Sequence, residues 1–156
     1  MKLLYAQPKF WRKTRVPRKH VKAIVAISGV YSAEAMRGDL LSRSIGKLVF
    51  DTESEEDGRT CTWDDAFPCQ LAARYPQIRW PRVLLLTAQF DFGLRAHASQ
   101  FYDILYYNQN CRDLKWITIQ KLNHFSITCF WSYQHRPLAT FVCDFLRQSF
   151  SQTLTY

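Results

Sequence analysis

The chain has 156 residues, which is the length of one domain and enough to bury a hydrophobic core. Hydrophobic residues make up 47% of the sequence and aromatic residues 15%, a composition that excludes an intrinsically disordered chain. The net charge is +8, and no apolar run is long enough to predict a transmembrane helix.

The excess of positive charge lies at the N-terminus. Eight of the 21 basic residues and none of the 13 acidic residues fall within positions 1–22. Such an arm is compatible with nucleic-acid binding, an anionic membrane or a transit peptide, and also with a solvated segment before the first strand. Pro8 and Pro17 interrupt any long basic helix, and no amphipathic period is present. We therefore favour the solvated arm and expect no specific nucleic-acid partner.

Three apolar runs predict β-strands. Residues 21–28 read VKAIVAIS and residues 83–88 read VLLLTA, short apolar runs typical of strands that are buried on both faces. Residues 114–122 read LKWITIQKL and alternate more, which predicts a third strand that is half exposed. Apolar residues recur at helical spacing within positions 94–105, between the second and third strands. Pro137 begins a predicted final helix with one apolar stripe, which consists of Leu138, Phe141, Val142, Phe145 and Leu146. Strands that alternate with helices predict an α/β fold with a parallel sheet flanked by helices.

The predicted domain spans residues 1–156 and contains an insertion at residues 31–80. Within it we predict a helix over residues 33–49, a solvated acidic loop over 51–65 and a short helix over 71–75. The insertion resembles a cap-like segment between the first two strands. A single domain is favoured over two.

Five cysteines indicate the redox environment. Their number is odd, no Cys-x-x-Cys pair occurs and no secretory signal is present, so we expect free thiols and a cytoplasmic location. Cys129 and Cys143 stand among apolar residues and are predicted to be small core residues. No zinc-ligand spacing occurs, and we expect neither a metal nor a cofactor.

Two polar residues follow successive predicted strands. Asp91 lies just past the second strand and His124 just past the third. Ligands of parallel sheets bind at the carboxyl ends of the strands, and neighbouring strands lie about 4.8 Å apart. We therefore expect these two side chains to approach hydrogen-bonding distance. Taken singly, an Asp after a strand is more often a turn or cap residue, and a lone His is more often a satisfied polar group. Together they predict an acid that orients a histidine base.

Several segments carry a resemblance to a known family. The stretch VLLLTAQFDFGLRAHASQFYDIL resembles the acid-bearing segment of the α/β-hydrolases, and NHFSI resembles the histidine loop of their kynurenine formamidase and carboxylesterase-like branch. The stretch VKAIVAISGVYS is similar to the strand and turn after the nucleophile helix of that branch, and LLYAQPKFW to the end of that helix. The resemblance implies the last three strands of the α/β-hydrolase fold, with residues 1–20 as a basic arm and helix remnant. It also implies that Asp91 is the triad acid and His124 the triad base, in the order of that fold.

The sequence departs from the family at the nucleophile. No Gly-x-Ser-x-Gly elbow occurs, and Thr87 and Ala88 stand where the family has His-Gly. Ser28 lacks the preceding glycine and Ser126 follows the histidine too closely, so we assign structural roles to both. The resemblance places the elbow just before Met1, as expected for a truncated or partial hydrolase domain.

The resemblance implies a serine hydrolase for small carboxylic esters or formamides. Aromatic residues are more often core or cap packing, but Phe92 and Phe125 directly follow the two triad-like residues, so we expect them to be walls of the substrate pocket. Without a nucleophile this chain is expected to be inactive. The alternative is a non-catalytic pseudo-hydrolase or interaction module. That hypothesis predicts self-association through the first strand, because an exposed apolar edge can pair with another chain.

Overall fold

A three-stranded parallel sheet forms the centre of the molecule. The computed structural model describes residues 20–38, 67–108, 111, 113–129 and 136–151. The strands are β1 (Ala23–Ile27), β2 (Arg82–Phe90) and β3 (Leu114–Asn123), and they stand side by side in the order β1-β2-β3. Both strand pairs are parallel, which confirms the predicted α/β class and parallel sheet.

Strand β2 occupies the middle of the sheet because its residues are apolar on both faces. Every side chain from Val83 to Ala88 is fully buried. Alternate side chains of this strand enter two separate hydrophobic clusters, with Val83 and Leu85 on one face and Leu84 and Leu86 on the other. A continuous apolar run is what a strand covered on both faces requires.

Helices contribute to both clusters. In chain order they are α1 (Ala33–Gly38), α2 (Pro68–Arg74), α3 (Leu94–Asp103), α4 (His124–Cys129) and α5 (Arg136–Ser151). Helix α3 continues as a π-helical turn, Ile104–Asn108, and packs with α2 against one face through Phe101 and Leu71. Helix α5 covers the other face through the predicted stripe, whose buried members are Leu138, Val142 and Phe145. None of the described helices has the length and apolarity that crossing a bilayer requires.

The insertion is described only in part. The helix predicted over residues 33–49 is seen as α1, and its remainder lies outside the described residues, as do the acidic loop and residues 1–19. The short helix predicted over 71–75 begins earlier, because Pro68 supplies a backbone conformation suited to the first helical turn. Tyr31 and Phe67 are both buried, so the described ends of the insertion pack into the domain.

The prediction for two cysteines was wrong. Cys129 and Cys143 are exposed, whereas Cys69 and Cys111 are buried, and all four are free thiols. Cys143 follows the buried Val142 by one position, and one residue turns an α-helix by about 100°, which carries its side chain off the apolar stripe. Apolar neighbours in the sequence therefore do not predict the burial of Cys143, because burial on a helix depends on which face a side chain occupies.

Candidate active site

Three polar side chains meet at the carboxyl edge of the sheet. Each directly follows a strand: Ser28 follows β1, Asp91 follows β2 and His124 follows β3. Parallel strands end at a common edge, so residues that are 33 to 63 positions apart along the chain come into contact there.

Asp91 is the centre of this group. Its side chain is buried, and one carboxylate oxygen, Oδ1, lies 2.9 Å from Nδ1 of His124. The other oxygen, Oδ2, accepts a hydrogen bond of 2.7 Å from the Ser28 hydroxyl and one of 3.1 Å from the Ala88 backbone N–H. A buried carboxylate is costly unless hydrogen-bond donors surround it, and here both oxygens have donors. The expected contact between Asp91 and His124 is therefore confirmed.

The histidine is oriented by this contact. The Asp91 carboxylate can only accept, so Nδ1 of His124 carries a proton and Nε2 is left as the basic nitrogen of the neutral ring. About a third of the His124 side chain is exposed, while the Asp91 side chain is inaccessible to solvent. Among the described residues, no protein group hydrogen-bonds to Nε2. The ring is thus held through Nδ1, and about a third of the side chain remains accessible.

The local fold adds a second constraint on His124, which is the first residue of α4. The Ser126 N–H donates to Oδ1 of Asn123, and the Asn123 N–H donates to Oγ of Ser126, both at 2.8 Å. This reciprocal pair is a capping box, which satisfies donors that a helix start leaves unpaired. It begins a helix where the sequence predicted a loop, and it gives Ser126 a structural role, as expected.

Two phenylalanines flank the imidazole. The ring centroids of Phe92 and Phe125 lie 6.2 Å and 5.7 Å from that of His124, and 6.0 Å from each other, in edge-on arrangements. Both side chains are 62% exposed, so they line an open surface rather than a core. The four site residues expected from the sequence therefore lie together.

Ser28 has a structural role, as the sequence predicts, but its partner was not predicted. It is buried, its hydroxyl donates to Asp91, and its N–H donates to the Leu86 carbonyl at 2.8 Å. Its φ of 44° lies in the left-handed region, which is uncommon for residues other than glycine. The available signal was its position, because a polar residue directly after a buried strand shares the edge with Asp91 and His124.

Within the part of the chain that the structure describes, no three His, Cys, Asp or Glu side chains group as metal ligands would. Comparisons with protein-family models, with curated proteins and with solved structures find no match for the chain. The case for a function therefore rests on the geometry of the site.

Proposed function

We propose that Asp91 and His124 are the acid and base of a serine-hydrolase-type site for carboxylic esters or formamides. The observation that carries the proposal is the 2.9 Å contact between a buried carboxylate and a half-buried imidazole. A general base needs a basic nitrogen that no other group occupies, and Nε2 of His124 has no hydrogen-bond partner among the described residues.

The chemistry assigned to this chain is proton transfer. In acyl transfer a hydroxyl attacks the carbonyl carbon, and Nε2 of His124 takes its proton and later gives it to the leaving group. Asp91 keeps the imidazole in the right tautomer and stabilises its protonated form. The 156 residues contain no Gly-x-Ser-x-Gly sequence, and the hydroxyls of Ser28 and Ser126 are held in other hydrogen bonds. We therefore assign the nucleophile to neither serine.

We also propose that the sheet is the C-terminal part of an α/β-hydrolase fold of the kynurenine formamidase and carboxylesterase-like branch. Three adjacent parallel strands, with an acid after the second and a histidine after the third, support that assignment. Phe92 and Phe125 are the proposed substrate contacts, because exposed aromatic rings beside the base offer apolar surface to an acyl or aryl group.

The test is hydrolysis of p-nitrophenyl acetate and of an N-formyl arylamine by the 156-residue chain. The turnover of an intact serine hydrolase is not expected, since no nucleophile is assigned. We expect only a slow residual reaction in which His124 assists attack by water, because general-base assistance alone is worth about 10²–10⁴-fold. His124→Ala should reduce it to the background rate, and Asp91→Asn should lower it strongly. His20→Ala is the matched control, because His20 is exposed and precedes β1, at the end of that strand opposite to Ser28. Equal rates for wild type, His124→Ala and His20→Ala would refute the proposal.

A fluorophosphonate probe tests the assignment of the serines. Neither serine should react. Ser28 is buried, and the hydroxyl of Ser126 is held by the hydrogen bonds of the capping box. Labelling of either residue, located by peptide mass spectrometry, would make it the nucleophile and overturn its structural assignment.

One observation favours a second candidate, a non-catalytic module that associates with a second copy of the chain. Among the described strands, β1 has a neighbour on one side only, and all five of its apolar residues are partly exposed. Sedimentation velocity over a concentration series is the test. A sedimentation coefficient that rises with concentration would support association, and a constant monomer value would exclude it.

A further inference from the structure

The pairing of β2 with β3 changes register just before the site. From Val83↔Leu114 to Ala88↔Ile119 each partner on β3 is numbered 31 higher, whereas Phe90 pairs with Asn123, which is 33 higher. One residue of β2, Gln89, therefore stands opposite three residues of β3. The result is a bulge with two extra residues, at positions 120–122.

The bulge decides which residue faces the acid. If the register of 31 continued, Asp91 would stand opposite Leu122, and His124 would lie two residues further along the strand. Two residues of a parallel strand span about 7 Å, which is too far for the observed 2.9 Å contact. The shift by two moves His124 back beside Asp91.

The bulge has an energetic cost and a specific support. Lys121 at its centre has a φ of 61°, in the left-handed region that a lysine seldom occupies. Its backbone N–H has lost the regular ladder partner, and instead donates to the side-chain Oε1 of Gln89 at 2.8 Å. The Gln89 carboxamide of β2 therefore accepts a hydrogen bond from the Lys121 N–H, which has no regular ladder partner because of the extra residues.

We propose that Gln89 is a positioning residue, which holds the two-residue bulge of β3 and so places His124 against Asp91. It touches neither reacting atom and acts through the backbone of Lys121. The proposal rests on the proposed function in one respect, since the value of this placement is that it orients a base. The geometry of the bulge itself does not depend on the chemistry.

The experiment uses the full 156-residue chain and two NMR readouts. Amide hydrogen exchange at Lys121 reports the hydrogen bond to Gln89, and the ¹⁵N shifts of the His124 ring report the Nδ1–H tautomer. Gln89→Ala should accelerate Lys121 exchange by about three- to tenfold, the effect of losing one ordinary hydrogen bond. It should also shift His124 from the Nδ1–H tautomer towards a mixture of tautomers. Gln120→Ala is the matched control, an exposed glutamine of the same bulge, and it should change neither signal.

Two further variants keep the outcome decisive. Gln89→Glu retains an acceptor oxygen, so its Lys121 exchange rate and its His124 tautomer should stay as in the wild type. Gln89→Met keeps the side-chain length without a carbonyl acceptor and should behave as Gln89→Ala does. Unchanged exchange and tautomer signals in Gln89→Met would overturn the proposal, as would equal effects of Gln89→Glu and Gln89→Met. A wild-type His124 without the Nδ1–H tautomer would instead count against the proposed function, while Lys121 exchange would still test the bulge.

Discussion

Replacing Ser28 with alanine removes one hydrogen bond from a buried carboxylate. The Ser28 hydroxyl donates to Oδ2 of Asp91 at 2.7 Å, and the Ala88 N–H would then be the remaining donor to that oxygen. Hydrogen bonds to charged groups contribute about 1.5–3 kcal/mol, more than neutral ones, because a buried charge left short of a donor is not resolvated. We expect the free energy of unfolding at pH 7 to fall by that amount, which corresponds to a Tm lower by about 3–12 °C.

Urea unfolding followed by circular dichroism measures this loss, and two variants serve as references. Ser151→Ala removes an exposed hydroxyl, which donates to the Gln148 carbonyl, and should change stability by less than about 0.5 kcal/mol. Ser28→Gly loses the same hydroxyl but relieves the φ of 44°, so it should be about 1 kcal/mol more stable than Ser28→Ala. The reasoning is refuted if Ser28→Ala is no less stable than Ser151→Ala.

Three other predictions concern residues around the site and core. Burial raises the pKa of the Cys69 thiol to about 12. At pH 8 Cys69 should therefore react with a disulfide reagent more than about a hundredfold slower than the exposed Cys129. Comparable rates for the two thiols would contradict the burial of Cys69. Burial lowers the pKa of His97 below its ordinary 6.5, so the unfolded chain binds more protons and stability should fall as pH drops below about 6.5. His97→Asn should flatten that loss between pH 7 and 5 in urea titrations, and an unchanged slope would exclude His97 as its source. Gly29→Ala should lower the free energy of unfolding by about 1–3 kcal/mol, because the added Cβ would lie 2.6 Å from the buried Tyr31 ring. A Tm equal to that of the wild type would contradict this clash and show that the ring moves aside.

The order of the elements was predictable because it depends on local patterns. The run at residues 83–88 has no polar face and is too short for a helix, so it predicts a strand that is buried on both faces. Once three strands alternate with helices, Asp91 and His124 must lie at the same edge of a parallel sheet. The phenylalanines that follow them are placed beside the imidazole for the same reason.

The strand register that allows the contact between Asp91 and His124 was not predictable in this way. An even register of β2 and β3 would have set Asp91 opposite Leu122, and no local pattern announces the two extra residues of the bulge. They are stabilised by a cross-strand hydrogen bond that the Lys121 backbone N–H donates to the Gln89 side chain, 32 positions away along the chain.

The sequence alone thus determined the α/β class, the parallel order and the edge at which an acid and a histidine lie, because apolar period and chain order are local properties. The tertiary structure decided the register of β3, the hydrogen bond of Ser28 to Asp91 and the exposure of Cys143. Each of these depends on which distant backbone or side chain occupies the neighbouring space. Such contacts are selected by packing between elements, which no short stretch of sequence contains.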